Sequence, residues 1–291
     1  MSKKLDLEVI ILTYNSGYWL KKTLSTLQEQ YLKKSKLNYR VVVVDNHSED
    51  NTLEFLKNEF SWVDVLPLAD NLGFSHGNNQ ALKQSTAEFV LLLNSDMEAT
   101  ADSNFDQLIA FMEKQPKVGI CTPRIEFLNG ETDPACHRGE PTLWAAFTYF
   151  SGLAGLFPDS TWFAQYHQTY KDFSKIHTID ACSGAAMLIR TSLLNTVGLF
   201  DERFFMYAED LDLCHRFRDA GYLIAYNPAV KIIHHKYKSG IRGSSKKIAR
   251  ETRQHFYNTM LQYYDKHYAK RYPAFVRGLI HAVLVAKKGA L

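Results

Sequence analysis

The chain has 291 residues, of which 46% are hydrophobic and 13% aromatic, so it can bury a large core and is not predicted to be disordered. Its formal net charge is +3 at pH 7, but from Lys231 to the end 14 lysines and arginines stand against only two acidic residues. A basic C-terminal segment on an acidic body favours an anionic surface or substrate, although a solvated helical face gives the same pattern. No stretch reaches the roughly 18 apolar residues of a membrane-spanning helix.

The first half of the chain alternates between apolar runs and helical patterns. The apolar runs lie at 7–12, 39–45, 63–68 and 89–93. Leu20, Leu24 and Leu27 follow the first run at helical spacing, and similar patterns follow the others. Strands without polar alternation, separated by helices, are typical of a parallel sheet covered on both faces. The predicted fold class is therefore α/β.

Polar residues follow three of these four predicted strands. They are Thr13, Tyr14 and Asn15 after the first strand, Asp45 at the end of the second, and Asn94, Ser95 and Asp96 after the fourth. In open α/β sheets, ligands bind beyond the carboxyl ends of the strands. The sequence therefore predicts a ligand site at this edge of the sheet.

The second half of the chain is less regular. Its predicted elements are a hairpin at 124–132, strands at 185–190 and 230–235, and a helix at 208–221. Residues 133–180 are rich in aromatic side chains and lack periodicity, as expected of an insertion over the site. From about Lys246 the chain has a helical pattern that Pro273 interrupts.

Two features suit ligand binding at this edge. Asp45 can accept hydrogen bonds from a base imide or a ribose hydroxyl, with capping of the following helix as the alternative. The segment NLGFSHGNNQAL (71–82) places Gly73 and Gly77 around a helix start, which suits a phosphate or a sugar hydroxyl. It matches neither the P-loop nor the GxGxxG pattern.

Asp96 suits a hard divalent cation that bridges a diphosphate. Mg²⁺ or Mn²⁺ at such sites takes one or two carboxylates together with phosphate oxygens. A simple capping role is the alternative. His234 and His235 end a predicted strand, and because adjacent strand residues point to opposite faces, at most one of them can complete the coordination.

Three acidic residues open the predicted helix at 208–221. Glu209, Asp210 and Asp212 in a first turn suit the helix dipole, but one of them can also serve as a general base for a hydroxyl. Glu209 and Asp212 are three residues apart and share a face, whereas Asp210 points about 100° away. Spacing alone leaves the choice of base open.

The motifs, taken in order, resemble the family-2 glycosyltransferases with the GT-A fold, and most of all their bacterial rhamnosyltransferase-like branch. They read VIILTYN, VVVVDNHSEDNT, NLGFSHGNN, LLLNSD, CSGAAMLIR, VGLFDERFFMYAEDLDLCHR and IIHHKYKSG. The resemblance spans about residues 7–240 and continues weakly into FYNTMLQYYDKHY. Each motif is loose by itself, but the order and spacing are very specific.

The resemblance implies a mostly parallel central sheet flanked by helices and an inverting transfer from a nucleotide-diphosphate sugar. The expected catalytic domain covers 1–240, with a nucleotide-sugar-binding half at 1–130 and an acceptor-side half at 131–240. A basic helical extension follows at 241–291. The four cysteines lack CxxC spacing, and no signal peptide is predicted, so we expect reduced thiols in a cytoplasmic protein.

The resemblance also implies roles for individual residues. Asp210 is the expected catalytic base, and Asp96 and His234 are the expected ligands of the divalent cation. The expected donor-binding residues are Thr13, Tyr14, Asn15, Asp45, Asn71, Gly73, Phe74, Asn78, Asn94, Ser95 and Asp96, and the acceptor-side residues are Asp180, Gly184 and Glu209. Asn94 stands where many members have the first aspartate of a DxD motif. The glycine common after the histidine is missing here, so His235 stays an alternative to His234.

The expected reaction moves L-rhamnose from dTDP-rhamnose to a hydroxyl of a bacterial surface glycan or a polyprenyl-diphosphate-linked acceptor. The alternatives are a UDP-hexose or UDP-N-acetylhexosamine transferase of the same fold and a non-catalytic nucleotide-sugar-binding module. Nucleic acid is not an expected partner, and the oligomeric state is undetermined. The basic tail, ending in LIHAVLVAKK, is expected either to contact the inner face of the cytoplasmic membrane or to pack on the catalytic domain.

Overall fold

The structure, a computed structural model, describes residues 4–235 and 246–289. The strands of this described part are β1 Leu7–Thr13, β2 Tyr39–Asp45, β3 Asp64–Pro67, β4 Phe89–Asn94, β5 Met97–Ala99, β6 Val118–Glu126, β7 His177–Ile179, β8 Ala186–Arg190 and β9 Leu223–His234. Its α-helices are α1 Gly17–Leu27, α2 Thr52–Glu59, α3 Gly73–Leu82, α4 Asp106–Lys114, α5 Leu143–Phe150, α6 Leu153–Leu156, α7 Leu194–Val197, α8 Glu209–Asp219, α9 Lys246–His267 and α10 Ala274–Gly289.

The strands form one sheet in the order β3-β2-β1-β4-β8-β6-β9-β5, with β7 also paired to β9. The predicted α/β fold is confirmed, and β3, β2, β1 and β4 are parallel as the four apolar runs indicated. The other half of the sheet is mixed, because β8 runs antiparallel to both β4 and β6, and β5 runs antiparallel to β9. The parallel part therefore carries the continuous apolar sequences.

Burial explains why β1, β2 and β4 lack polar alternation, whereas β3, at the edge of the sheet, is largely exposed. The valines of β2, at positions 41–44, are all buried, and α1 packs Leu20, Leu24 and Leu27 into the same core. In the register of the sheet, Thr13 lies opposite Asp45 and Leu12 lies opposite Asn94. Three polar strand ends are thus brought to the same edge.

Two strands of the second half are longer than predicted. The sequence pattern indicated only residues 124–132 and 230–235, whereas β6 begins at Val118 and β9 at Leu223. Pro123 interrupts the apolar pattern of β6, and the pairing with β9 shifts register between Pro123 and Arg124. A bulge of this kind lets a strand contain a proline that cannot donate to the ladder. The predicted hairpin at 124–132 is present, since Glu126 bridges Thr132 and the chain turns at Asn129-Gly130.

The two C-terminal helices have different surroundings. The break at Pro273 is confirmed, with α9 ending at His267 and α10 beginning at Ala274. Three tyrosines of the α9 region, Tyr263, Tyr264 and Tyr268, are buried in the main core. In contrast, α10 exposes apolar side chains, among them Phe275 and Leu279. No helix within the described ranges is both long enough and apolar enough to cross a membrane.

Candidate active site

Two buried polar atoms at the ends of β1 and β2 point to a ligand. Thr13 and Asp45 are each only 1% exposed, and they face each other in the register. Within the described part of the chain, neither Thr13 Oγ1 nor Asp45 Oδ1 has a hydrogen-bond partner, while Asp45 Oδ2 accepts from the Ser48 amide at 3.1 Å. A buried polar atom without a hydrogen-bond partner lowers the stability of the fold. Such atoms are therefore expected where a bound ligand supplies the missing hydrogen bond.

The loop after β1 combines an exposed ring with a fixed backbone. Tyr14 is exposed, whereas Asn15 adopts a left-handed φ of 49°. The side-chain oxygen of Asn15 accepts a hydrogen bond from the Glu49 backbone amide at 2.7 Å, and the backbone amide of Asn15 donates to Ser48 Oγ at 3.0 Å. Asn15 therefore connects the loop after β1 to the loop after β2, and the exposed Tyr14 ring takes no part in these two hydrogen bonds.

The predicted donor residues around α3 stabilise the segment between β3 and α3 and the start of that helix. Asn71 Oδ1 accepts from Asn46 Nδ2 at 2.8 Å, and Asn78 Nδ2 donates to the Phe74 carbonyl at 2.9 Å. Gly73 has a φ of +82°, and a Cβ there would lie 2.4 Å from the Phe205 carbonyl oxygen, so only glycine fits. In this structure Asn71 and Asn78 bond to protein groups.

The turn after β4 is held by a buried threonine. Thr23 Oγ1 lies 2.8 Å from the Ser95 carbonyl and 2.6 Å from the Met97 carbonyl, on either side of Asp96. The antiparallel pairing of β5 with β9 sets Met97 opposite His234, and the His235 amide donates to the Asp96 carbonyl at 2.9 Å. This pairing delivers the end of β9 to Asp96.

The two histidines at the end of β9 point in opposite directions, as strand geometry predicts. His234 Nε2 lies 3.3 Å from Asp96 Oδ1, and its Nδ1 lies 3.0 Å from Asp133 Oδ2. His235 instead contacts Glu98 at 2.6 Å and packs on the Trp19 ring. Of the two histidines, His234 is therefore the one beside Asp96.

Burial works to lower the pKa of His234, but its hydrogen bonds to Asp133 and Asp96 outweigh burial, and the pKa is raised. Asp133 was missed by sequence reasoning. Its only local signal is the Asp-Pro step that opens the helical turn Pro134–Cys136, where the Asp133 side chain caps Ala135.

These donors fit a divalent cation that is shared with a diphosphate. Asp96 and His234 converge, and the Asp133 carboxylate can hold a proton on His234 Nδ1, which leaves Nε2 as a ligand atom. Within the described ranges, no three His, Cys, Asp or Glu side chains form a complete metal cage. A small protein donor set is what Mg²⁺ uses when phosphate oxygens supply other positions.

The helix α8 begins at a strained turn. Tyr207 and Ala208 have left-handed φ angles of 72° and 63°, a conformation that costs non-glycine residues about 1–3 kcal/mol each and clusters at functional sites. Glu209 and Asp210 follow directly, and both are buried. The backbone is thus held in an unfavourable conformation where it presents two carboxylates.

The segment before β8 connects Asp210 to the end of β4 by hydrogen bonds. Its Oδ2 accepts from the Gly184 amide at 3.3 Å, and the neighbouring Ala185 carbonyl accepts from the Asn94 amide at 2.9 Å. A Cβ on Gly184 would lie 2.9 Å from the Phe74 ring. The structure therefore brings Asn94, Phe74, Gly184 and Asp210 together, although they are far apart in the sequence.

Arg138 is the main partner of Asp210 and was not predicted. Its Nη2 lies 2.6 Å from Asp210 Oδ2 and also donates to the Cys182 carbonyl at 2.9 Å. Arg138 lies in the aromatic-rich insertion, where the only signal is the polar step His137-Arg138-Gly139-Glu140. The guanidinium in contact with Asp210 fixes the orientation of its carboxylate.

Asp180, a predicted acceptor-side residue, bonds to groups of the insertion. Its Oδ2 accepts from the Glu140 amide at 2.9 Å and from Gln168 Nε2 at 3.1 Å. These bonds connect three parts of the insertion. In this structure Asp180 stabilises the insertion loop, while Gly184 and Glu209 lie at the turn with Asp210.

Glu209 is a buried carboxyl group with an unsatisfied oxygen. Burial, followed by the charge of Asp210, raises its pKa, and within the described residues Glu209 Oε2 has no hydrogen-bond partner. A carboxyl group whose folded pKa is raised binds its proton more tightly in the folded state. Its contribution to stability is therefore present at low pH and is lost as the pH rises through the folded pKa.

Glu209→Gln is therefore expected to stabilise the protein at pH 8 by on the order of 2 kcal/mol, with the difference shrinking towards pH 4. Thermal and urea unfolding across this range measure the effect, with the exposed Glu54→Gln as the matched control. An equal response of both variants at every pH would show that the Glu209 environment does not oppose ionisation.

A sheet whose carboxyl edge carries these groups, opposite a carboxylate on α8, defines the GT-A class of glycosyltransferases. Residues 8–197 match the family described as glycosyl transferase family 2. The chain belongs to this family and is a glycosyltransferase.

Two relatives in particular are rhamnosyltransferases. The chain is 28% identical over 272 residues to the N-acetylglucosaminyl-diphospho-decaprenol L-rhamnosyltransferase of Mycobacterium tuberculosis, covering 90% of this chain and 85% of that protein. It is 24% identical over 236 residues to the rhamnosyltransferase WbbL of Escherichia coli (strain K12), covering 79% of this chain and 83% of that protein. These relatives support the rhamnosyltransferase-like branch.

Solved structures share the fold. GalNAc-T7 with UDP, GalNAc and Mn²⁺ superimposes with a TM-score of 0.60 at 15% identity, over 80% of this chain and 44% of that chain. The mannosyltransferase PcManGT from Pyrobaculum calidifontis, in complex with GDP-Man and Mn²⁺, gives a TM-score of 0.59 at 17% identity, over 97% of this chain and 70% of that chain. At these identities the likeness concerns the fold.

Proposed function

We propose that this protein is an inverting glycosyltransferase that moves L-rhamnose from dTDP-rhamnose to a hydroxyl of a lipid-linked or surface glycan. The observation that carries the proposal is the edge of the sheet. Within the described part of the chain, Thr13 and Asp45 have unsatisfied atoms there, Asp96 follows the end of the neighbouring strand β4, and the segment at Gly184 joins β4 to Asp210. The names of the relatives in Mycobacterium tuberculosis and Escherichia coli favour rhamnose over other sugars.

In this proposal different strand ends bind different parts of the donor. Thr13 and Asp45 complete their hydrogen bonds with the nucleoside, and exposed Tyr14 contacts the base. Asp96 and His234 hold Mg²⁺ or Mn²⁺. When bound, the cation supplies positive charge that offsets the charge developing on the departing diphosphate.

Asp210 acts as the general base on the acceptor. It takes the proton of the acceptor hydroxyl while the oxygen attacks the anomeric carbon and the bond to the nucleoside diphosphate breaks. A single displacement of this kind inverts the anomeric configuration. Arg138 keeps the Asp210 carboxylate oriented before the acceptor arrives, and such a base contributes roughly 10²–10⁴-fold to the rate.

A panel of nucleotide sugars tests the proposal. Isothermal titration with dTDP-, UDP- and GDP-sugars should give the tightest binding for dTDP-rhamnose, and a polyprenyl-diphosphate-linked acceptor should then yield a product with inverted configuration by NMR. Transfer from a UDP-hexose or UDP-N-acetylhexosamine instead would establish the alternative donor. Binding without transfer to any acceptor, together with unchanged behaviour of Asp210→Asn, would establish a binding module.

The C-terminal helices and the insertion support an acceptor held at a membrane. On α10, Phe275, Leu279 and Val283 recur every four residues and are exposed, whereas Ile280 packs on the body of the protein. Further exposed apolar side chains lie in the insertion, namely Phe147, Tyr149, Phe150, Leu156, Phe157 and Trp162. Exposed apolar faces beside a basic segment suit an anionic leaflet.

Co-sedimentation with vesicles tests the membrane contact. We expect binding to phosphatidylglycerol vesicles but not to phosphatidylcholine vesicles, with a loss at high salt, because each lysine or arginine near the surface contributes about 1 kcal/mol. Leu279→Asp should weaken binding, whereas the same change at exposed Leu128, at the hairpin, should not. Binding that ignores salt or lipid charge, or no binding at all, would contradict the contact.

A further inference from the structure

We infer that α9 is a positioning element of the active site, in which Lys266 and the tyrosines at its end hold the Arg138–Asp210 pair from both sides. The inference rests on the proposed role of Asp210. It assigns a catalytic purpose to part of the C-terminal extension that the sequence placed outside the catalytic domain.

The first contact is with the helix that carries Asp210. Asp212, two residues further along α8, is fully buried, and its Oδ1 lies 2.5 Å from Lys266 Nζ and 2.8 Å from His267 Nε2. Its Oδ2 lies 2.9 Å from Arg216 Nε, and Arg216 in turn bonds to backbone carbonyls of residues 197–199. A buried carboxylate is stable only when it is paired in this way, so α9 is needed to complete the environment of α8.

Lys266 also reaches the segment before the strained turn. Its Nζ lies 2.7 Å from Asp201 Oδ2 and 5.8 Å from the centre of the Phe204 ring. Asp201 precedes and Asp212 follows Tyr207 and Ala208, the two residues with left-handed backbone. Lys266 therefore connects the two sides of the turn that presents Asp210. Strained turns persist only where surrounding contacts hold them.

The second contact is with the loop that carries Arg138. Glu140, two residues after Arg138, accepts hydrogen bonds from Tyr263 Oη at 2.9 Å and from Tyr268 Oη, both of α9 or its end. It also pairs with Arg218 and lies 3.0 Å from His215 Nδ1, both on α8. Glu140 thus joins the Arg138 loop, α8 and α9 in one buried network.

The two contacts have a common consequence. Arg138 and Asp210 belong to different segments, and each is anchored to α9 within two residues of the pair. Loss of either anchor would change the angle between the guanidinium and the carboxylate without touching donor or acceptor. A misplacement of about 1 Å in a reacting group can cost about 10²-fold in rate.

The test compares three lysine variants and one tyrosine variant. Lys266→Met keeps the length and apolar stem but removes the charge, Lys266→Arg restores a charge, and Lys270→Met makes the same change at an exposed position. Tyr263→Phe removes only the hydroxyl on Glu140. We expect Lys266→Met and Tyr263→Phe to lower kcat about ten- to hundredfold with donor KM changed less than about twofold, and Lys266→Arg to recover most of the rate.

A purely structural role predicts a different result. In that case Lys266→Met and Tyr263→Phe would have the same kcat per folded molecule as Lys270→Met, and only their thermal unfolding temperatures would be lower. This outcome would overturn the inference. If the wild-type protein transfers no sugar, the proposed function has failed, and hydrogen exchange decides the inference separately. Lys266→Met should then speed exchange of the amides at 209–213 but not those of α4, and unchanged exchange at 209–213 would overturn it.

Discussion

Asp210→Asn is expected to lower kcat by at least about 10²-fold while donor affinity stays nearly unchanged. Asparagine keeps the shape of the side chain and an oxygen that can accept from the Gly184 amide, but it has no basic carboxylate. Because the proposed role of Asp210 is confined to proton removal from the acceptor, ground-state binding of the donor should not depend on it. Steady-state kinetics with saturating acceptor and titration with the donor measure the two quantities.

The control for this variant is stability, since Asp210→Asn leaves Arg138 without its charged partner. Breaking a buried pair in this way can cost about 3–5 kcal/mol, so the rate must be normalised to folded protein by thermal unfolding. Asp180→Asn removes a carboxylate from the insertion and should reduce kcat much less. An active Asp210→Asn together with an inactive Glu209→Gln or Asp212→Asn would place the base elsewhere on this turn.

Asp96→Ala is expected to lower donor turnover by about 10²–10³-fold while the fold is retained. Asp96 is the carboxylate that faces His234, and its loss removes the charged ligand proposed for the cation. The side chain lies at a turn that Thr23 holds through the Ser95 and Met97 carbonyls, so the backbone should stay in place. Activity as a function of Mn²⁺ concentration, with Mn²⁺ binding followed by paramagnetic resonance, tests the role.

Asp70→Ala makes the same substitution at an exposed position and should leave turnover at the wild-type value. EDTA should remove the activity of the wild-type protein, and Mn²⁺ should restore it. If neither EDTA nor Asp96→Ala changes turnover, the cation assignment is wrong. Loss of turnover in Asp96→Ala with unchanged Mn²⁺ binding would assign Asp96 to the donor alone.

Local patterns were sufficient for the parallel part of the sheet. Three of the four apolar runs form buried strands, and the third run forms the largely exposed edge strand β3. The polar strand ends meet at one edge because parallel strands end on the same side. Thr13 and Asp45 lie opposite each other for this reason. The start of α8 and the break before α10 also followed from local signals, an acidic first turn and Pro273.

The mixed half of the sheet was harder to predict from the sequence. Pro123 and a register shift conceal the start of β6, and β5 has only three residues, so neither gives a full periodic pattern. The choice between His234 and His235 depended on the pairing of β5 with β9, which sets Met97 opposite His234. A pairing between segments more than a hundred residues apart leaves no trace in local spacing.

The sequence by itself determined the class of fold, and it predicted the edge of the sheet for the site and a short set of carboxylates as candidate catalytic groups. Only the tertiary structure decided their partners: Asp133 on His234, Arg138 on Asp210, and Lys266 on Asp212. The physical reason is the range of each effect. Periodicity and strand ends arise from burial along one segment, whereas an ion pair requires two segments to pack at a separation of about 3 Å, and that distance exists only once the chain has folded.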